Sequence, residues 1–242
     1  MYKFYFSAVA ACVGEAAAGI GGLVLCGLGF VPALIETGFI IGASFTHYRS
    51  QQGGSLPVRS LLDADHLFPV DQPLVMSGYD ATRTIRVRRL DISSPVARSD
   101  AERLTSRDLP SHHLFLDVEY LDKDTGEVSE HVFADLDPDT GDVVTSAPVE
   151  AGDYGRVGDG LLSKRQESPT AHFWAYNIDT SINSHLFPMT RDTSEHLAGS
   201  LWDWQRDNDI GGHCANLIAG GARVANGYFA IKTGPFTFHR DC

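Results

Sequence analysis

The chain has 242 residues, room for one large domain or two small ones, and 31 acidic against 19 basic residues give it a net charge of −12. A balance this acidic excludes nucleic acid as the main partner, because phosphate binding needs clustered Lys and Arg. No Asn-x-Ser/Thr acceptor occurs, so glycosylation supplies no argument about compartment.

From residue 4 to residue 45 the only charges are Glu15 and Glu36, and small residues recur, as in Ala16-Ala17-Ala18-Gly19 and Gly27-Leu28-Gly29. The stretch exceeds the roughly 20 residues that one membrane helix needs, and Pro32 with its neighbouring glycines offers a place to turn. Residues 1–45 are therefore expected to form apolar helices, either a hairpin whose small residues pack helix on helix in lipid or a signal peptide cut near Ala16 to Ala18. In the second case Gly19 to Phe45 remains as one spanning helix. A buried core helix pair is the competing arrangement, and the lack of a polar face weighs against it. In lipid, Glu15 and Glu36 become candidate functional residues, because an ionisable group at bilayer depth is costly and usually faces a partner, a cavity or water.

Residues 46–165 read as an acidic, mainly-β domain ending in a linker. Prolines stand at 57, 69 and 73, and Ile85-Arg86-Val87-Arg88 alternates like a half-buried strand. Two apolar runs, 113–121 and 128–133, are separated by Asp122-Lys123-Asp124-Thr125-Gly126, a hairpin signal. A similar turn at Asp137-Pro138-Asp139-Thr140-Gly141-Asp142 leads into Val143-Val144, so the middle of the chain is expected to be an antiparallel meander. Asp135, Asp137 and Asp139 have calcium-loop spacing. The sixth position would be Thr140 instead of glycine and no glutamate closes the loop, so a solvated turn is expected.

Residues 166–242 concentrate aromatic residues and read as a small α+β domain, which makes the whole chain α+β. A helix is expected from Ser194, its cap, to Trp204, and a second from Cys214 to Ala219, ended by Gly220-Gly221. Residues 228–232 and 236–239 then read as paired strands. A bridge between Cys214 and Cys242 would close a loop of about 30 residues and stabilise a small oxidised domain by roughly 3 kcal/mol, leaving Cys12 and Cys26 unpaired.

A catalytic alternative uses the same cysteine. At a helix N-terminus Cys214 would have its thiolate stabilised by the dipole, with His239 as base and Asn216 as orienting group. This resembles papain-like hydrolases in chain order alone, and a bridged Cys214 would have no nucleophile. Metal ligation is not expected. His213 and Cys214 are adjacent and diverge on a helix, while His112 and His113 would point to opposite faces of a strand, leaving at most two ligands with His131. No cofactor is implied.

Two basic pairs, Arg88-Arg89 and Lys164-Arg165, are candidate processing sites, the second in a linker with Gly155, Gly158 and Gly160 just upstream. The order of apolar head, acidic middle, Lys164-Arg165 and cysteine-containing C-terminal piece resembles that of fungal killer preprotoxins. The resemblance implies a secreted or membrane-inserting toxin precursor, matured in the secretory pathway by a dibasic-specific protease and released as residues 166–242. It implies a lipid membrane and a target-cell envelope receptor as partners, and membrane perturbation as the mechanism. The alternatives are the membrane-anchored Cys/His hydrolase and a non-enzymatic interaction protein on a membrane stalk.

Overall fold

The computed structural model describes residues 24–25, 31–51, 65–70, 72–76, 82–95, 98–99, 102, 112–148, 154–155, 170–179, 191, 194–195, 197–198, 212–219 and 222–232. Helix α1, Val31–Gln51, holds the apolar sequence that reads like a membrane segment. Pro32 sits in its first turn, where a missing N–H costs nothing. Arg49 in the last turn donates to the Asp139 carbonyl at 2.9 Å and so ties the helix end to a turn of the sheet.

Every residue of α1 from Val31 to Ala43 is buried. A helix lying on a flat sheet would bury one side only, since successive residues step about 100° around the axis. Here the partners come from several sides. The Leu34 carbonyl accepts a bond from Thr145 at 2.9 Å, the Thr37 hydroxyl is bonded to that of Tyr120 at 2.9 Å, and Phe39 meets Phe173 edge-on at 5.4 Å. Glu36, on yet another side, reaches Arg83. The sheet therefore curls around the helix.

That sheet has eight strands, every neighbouring pair antiparallel. In chain order its members are β2 (Leu74–Met76), β3 (Arg83–Arg89), β4 (Leu114–Asp122), β5 (Val128–Leu136), β6 (Val143–Pro148), β8 (Thr170–Tyr176), β9 (Gly212–Ala219) and β10 (Ala222–Lys232). Their spatial order is β2-β3-β4-β5-β6-β8-β10-β9. Strands β1 (Val24–Leu25) and β7 (Tyr154–Gly155) form a separate two-stranded pair. Leu116, Val118, Tyr120, Val132, Ala134, Val143 and Phe173 point inward onto α1 and make one continuous core.

The expected meander is present. Asp122 Oδ1 accepts the backbone N–H groups of Asp124 and Thr125, and Gly126 takes φ 72°. Asp137 does the same for Asp139, with Gly141 at φ 79°. Both glycines sit where a side chain would strain the backbone, which is why the local sequence marks these turns.

Four expectations meet a different arrangement. The apolar helical hairpin is not seen: α1 is a core helix, residue 24 onward includes a strand, and the remainder of 1–30 lies outside the described residues. Among the described residues no helix is long and apolar enough to cross a membrane. The small residues at 16–19 and 27–29 lie outside the described residues. In α1, a Cβ at Gly38 would lie 3.1 Å from the Phe173 ring and one at Gly42 only 2.2 Å from Ile178 Cδ1, so these glycines let the helix approach β8 and the residues after it.

The helix expected over 214–219 is strand β9, whose residues 212–219 are registered against 222–230 of β10. Ala, Leu and Asn carry weak preferences that a long ladder overrides. Of the helix expected from Ser194 to Trp204, residues 194–195 and 197–198 are helical, as is Arg191 before them. The Ser194 hydroxyl donates back to the carbonyl of the helical Arg191 at 2.8 Å, the bond of a residue within a helix and not of a cap.

The sheet also crosses the expected division at residue 165. Strand β6 precedes Lys164-Arg165 and β8 follows it, yet the two are paired from Val143↔Ala175 to Pro148↔Thr170.

Candidate functional site

Strand alternation puts a second set of side chains on the face of the sheet away from α1. Two rows cross it. Arg88, Asp117, Phe133, Ser146 and His172 lie side by side, and one pleat along come Phe115, Asp135, Val144, Trp174, Tyr228 and Cys214. The rows bring histidine beside oxygen three times. His113 Nδ1 donates to Asp135 Oδ1 at 2.7 Å, His131 is bonded to Asp117, and Ser146 Oγ is bonded to His172 Nδ1 at 2.8 Å.

These pairs differ in what reaches them. Ser146 and His172 are 1% and 0% exposed, so their bond satisfies two buried polar groups. Asp117 is buried, whereas its partners Arg88 and His131 have side chains 57% and 45% exposed. Burial alone would raise the Asp117 carboxyl; the bonds from His131 and Arg88 outweigh it and hold the group below the usual carboxylate range. The same bond raises His131 against its partial burial, helped by the Asp117 and Glu119 charges. Glu119 is itself held by Arg86 Nε at 2.6 Å.

The His113 pair stands at the end of the sheet where β4 begins and the β5–β6 turn folds over. Imidazole or carboxylate atoms of His112, His113 and Asp137 all lie within 4.8 Å of one another. His113 Nε2 is 4.0 Å from Asp137 Oδ2, and the rings of His112 and His113 stand edge-on with centroids 4.5 Å apart. Strand alternation does not separate the two histidines, because β4 starts at Leu114, after both of them. A sequence signal for the grouping existed. The hairpin register that pairs Leu114 with Leu136 carries residue 113 toward residue 137.

The inner face has a charge cluster of its own. Glu36 Oε2 lies 3.5 Å from Arg83 and 3.6 Å from Arg191, and Glu130 accepts from Arg83 at 3.0 Å and from Arg191 at 2.6 Å. Arg191 also pairs with Glu195 one helical turn on, and Arg83 stacks over the Tyr120 ring at 5.0 Å. Burial first, then the Glu36 charge, drives the Tyr120 hydroxyl well above its ordinary titration range.

The residues singled out in the sequence are not drawn together. Glu36 is 0% exposed in the core. Arg88 and Arg89 are laddered to Asp117 and Leu116 of β4, with Arg88 ion-paired to Asp117 and Arg89 to Asp65. Cys214 and Asn216 are exposed on β9, Asn216 accepting a bond from the Asn226 amide. Cys214 is disulfide-bonded, so it carries no thiolate for the hydrolase alternative. Glu15, Lys164, Arg165, His239, Cys242, Cys12 and Cys26 lie outside the described residues. Comparison with known proteins finds no matching family, no matching curated protein and no matching solved structure.

Proposed function

We propose that the protein is an exported toxin or effector precursor that matures in an oxidising compartment, is cut by a dibasic-specific protease after Lys164-Arg165, and acts on the envelope of a target cell. The observation that carries this reading is the disulfide at Cys214, since such bonds persist outside the reducing cytosol. Cys242 is the partner the reading assigns to it. The likeness of the chain's organisation to fungal killer preprotoxins supplies the class. Membrane perturbation is assigned to no side chain of α1 between Val31 and Ala43, because all of these are buried.

The pairing of β6 with β8 refines the product. A cut at Arg165 would leave residues on both sides of it held in one sheet, so the mature form is a two-chain particle and not a released C-terminal fragment. The same pairing favours a second reading, an interaction protein that stays uncut.

Material recovered from the culture medium of the native host, examined by intact mass and non-reducing peptide mapping, separates them. The precursor reading expects a chain end at Arg165, a Cys214–Cys242 peptide, and both chains eluting together in native gel filtration. Recovery of only uncut, oxidised chain establishes the interaction protein, and an alkylatable Cys214 overturns export through an oxidising compartment.

A further inference from the structure

We propose that His112, His113 and Asp137 form a binding site for a divalent transition-metal ion of the zinc class. It stands at the end of the β4–β5 pair where the β5–β6 turn folds over. The three ligand atoms lie within 4.8 Å of one another. Two ligands on one tetrahedral zinc are about 3.3 Å apart, given bonds of roughly 2.0 to 2.1 Å, so closure asks for small side-chain rotations.

The surroundings aim the ligands. His113 Nδ1 donates to Asp135 Oδ1 at 2.7 Å, and the Asp135 side chain is 1% exposed. A buried carboxylate on one ring nitrogen fixes the tautomer and presents the other nitrogen as a lone pair, the usual support for a metal-binding histidine. That other nitrogen, Nε2, is the one 4.0 Å from Asp137 Oδ2. Asp137 is held in turn: its Oδ1 accepts from Asp139 N–H at 2.8 Å, its N–H donates to the Asp142 carbonyl at 2.9 Å, and its own carbonyl accepts from Gly141 at 2.8 Å. Oδ2 is left as the carboxylate oxygen on the His113 side. His112 is exposed and closes the set from solvent.

Two imidazoles and one carboxylate suit zinc, copper or nickel better than calcium or magnesium, which take oxygen ligands. Three protein ligands leave a fourth position for water or a partner's side chain, on the exposed His112 side. The competing arrangement is an imidazolium at His113 between the Asp135 and Asp137 carboxylates, with no metal.

The test uses the oxidised, tag-free full-length chain, titrated with Zn²⁺ by calorimetry and with Co²⁺ by absorption near neutral pH. One ion per chain is expected, bound at micromolar concentration or tighter, with a tetrahedral cobalt spectrum lacking thiolate charge transfer. His112→Ala, at an exposed position, should weaken binding at least about 10-fold, and the positioning change Asp135→Asn by about 10- to 100-fold. His131→Ala, on the Asp117 pair, should leave affinity unchanged. Affinity that survives both His112→Ala and Asp137→Asn, or no binding tighter than millimolar in the parent chain, overturns the site.

Discussion

The two faces of the sheet use the same charged groups in different surroundings. Inside, Glu36, Arg83, Glu130 and Arg191 have side chains 0%, 11%, 19% and 16% exposed. Outside, Asp117 is buried but its cations reach water, at 57% for Arg88 and 45% for His131. Contact between opposite charges is common to both. What separates them is whether water can replace a lost partner, and that decides how much each contact matters to the fold.

The largest effect should come from breaking the inner network. Glu36→Ala removes one carboxylate from between Arg83 and Arg191 and should cost about 3–5 kcal/mol, read as a fall in the urea midpoint without a change in slope. A loss below about 1 kcal/mol would mean that the inner cluster behaves like a surface one.

Packing on the same face gives the next effect. A Cβ added at Gly227 of β10 would stand 2.8 Å from two ring carbons of Phe173. Gly227→Ala should destabilise by about 1–3 kcal/mol, and Phe173→Leu in the same chain should recover part of the loss. No recovery in the double variant would place the strain elsewhere.

The smallest effect belongs to the outer pair and shows mainly in pH dependence. Asp117 titrates below its ordinary 3.8, so its contribution is present above that value and is lost as pH falls through the lowered one. His131 titrates above its ordinary 6.5, so its contribution is complete below that value and is lost as pH rises through the raised one. The pair therefore contributes most between 3.8 and 6.5. His131→Gln should lower stability in that window by less than about 1 kcal/mol and flatten the decline above it. Thermal melts across this range check the sign; an alkaline decline unchanged in the variant would assign it to another group.

The β4–β5–β6 meander was legible because its turns are written locally, in Asp122 with Gly126 and Asp137 with Gly141. The role of α1 was not. An apolar run reads alike for lipid and for a core that encloses it, and the nearer in sequence of the two arginines that answer Glu36 lies 47 positions away. Strand β9 was misread for a related reason, since its ladder with β10 outweighs the preferences of Ala215, Leu217 and Ala219. The His113 grouping was hidden by one residue of strand boundary. With β4 beginning at Leu114, His112 and His113 escape the alternation that would have parted them.

The enclosure of α1 also has a temporal side. Thr145, which bonds Leu34, follows it by 111 positions. At a synthesis rate of about 5–20 residues per second, the helix waits roughly 6–22 s for that strand, and longer for β8. During that interval its isoleucines and phenylalanines have only part of their native cover, and contacts this distant in sequence make collapse onto the correct partner slow. The nascent chain thus offers a greasy N-terminal segment to whatever meets it first, so its yield in a heterologous host should depend on chaperone supply more than on the stability of the finished fold.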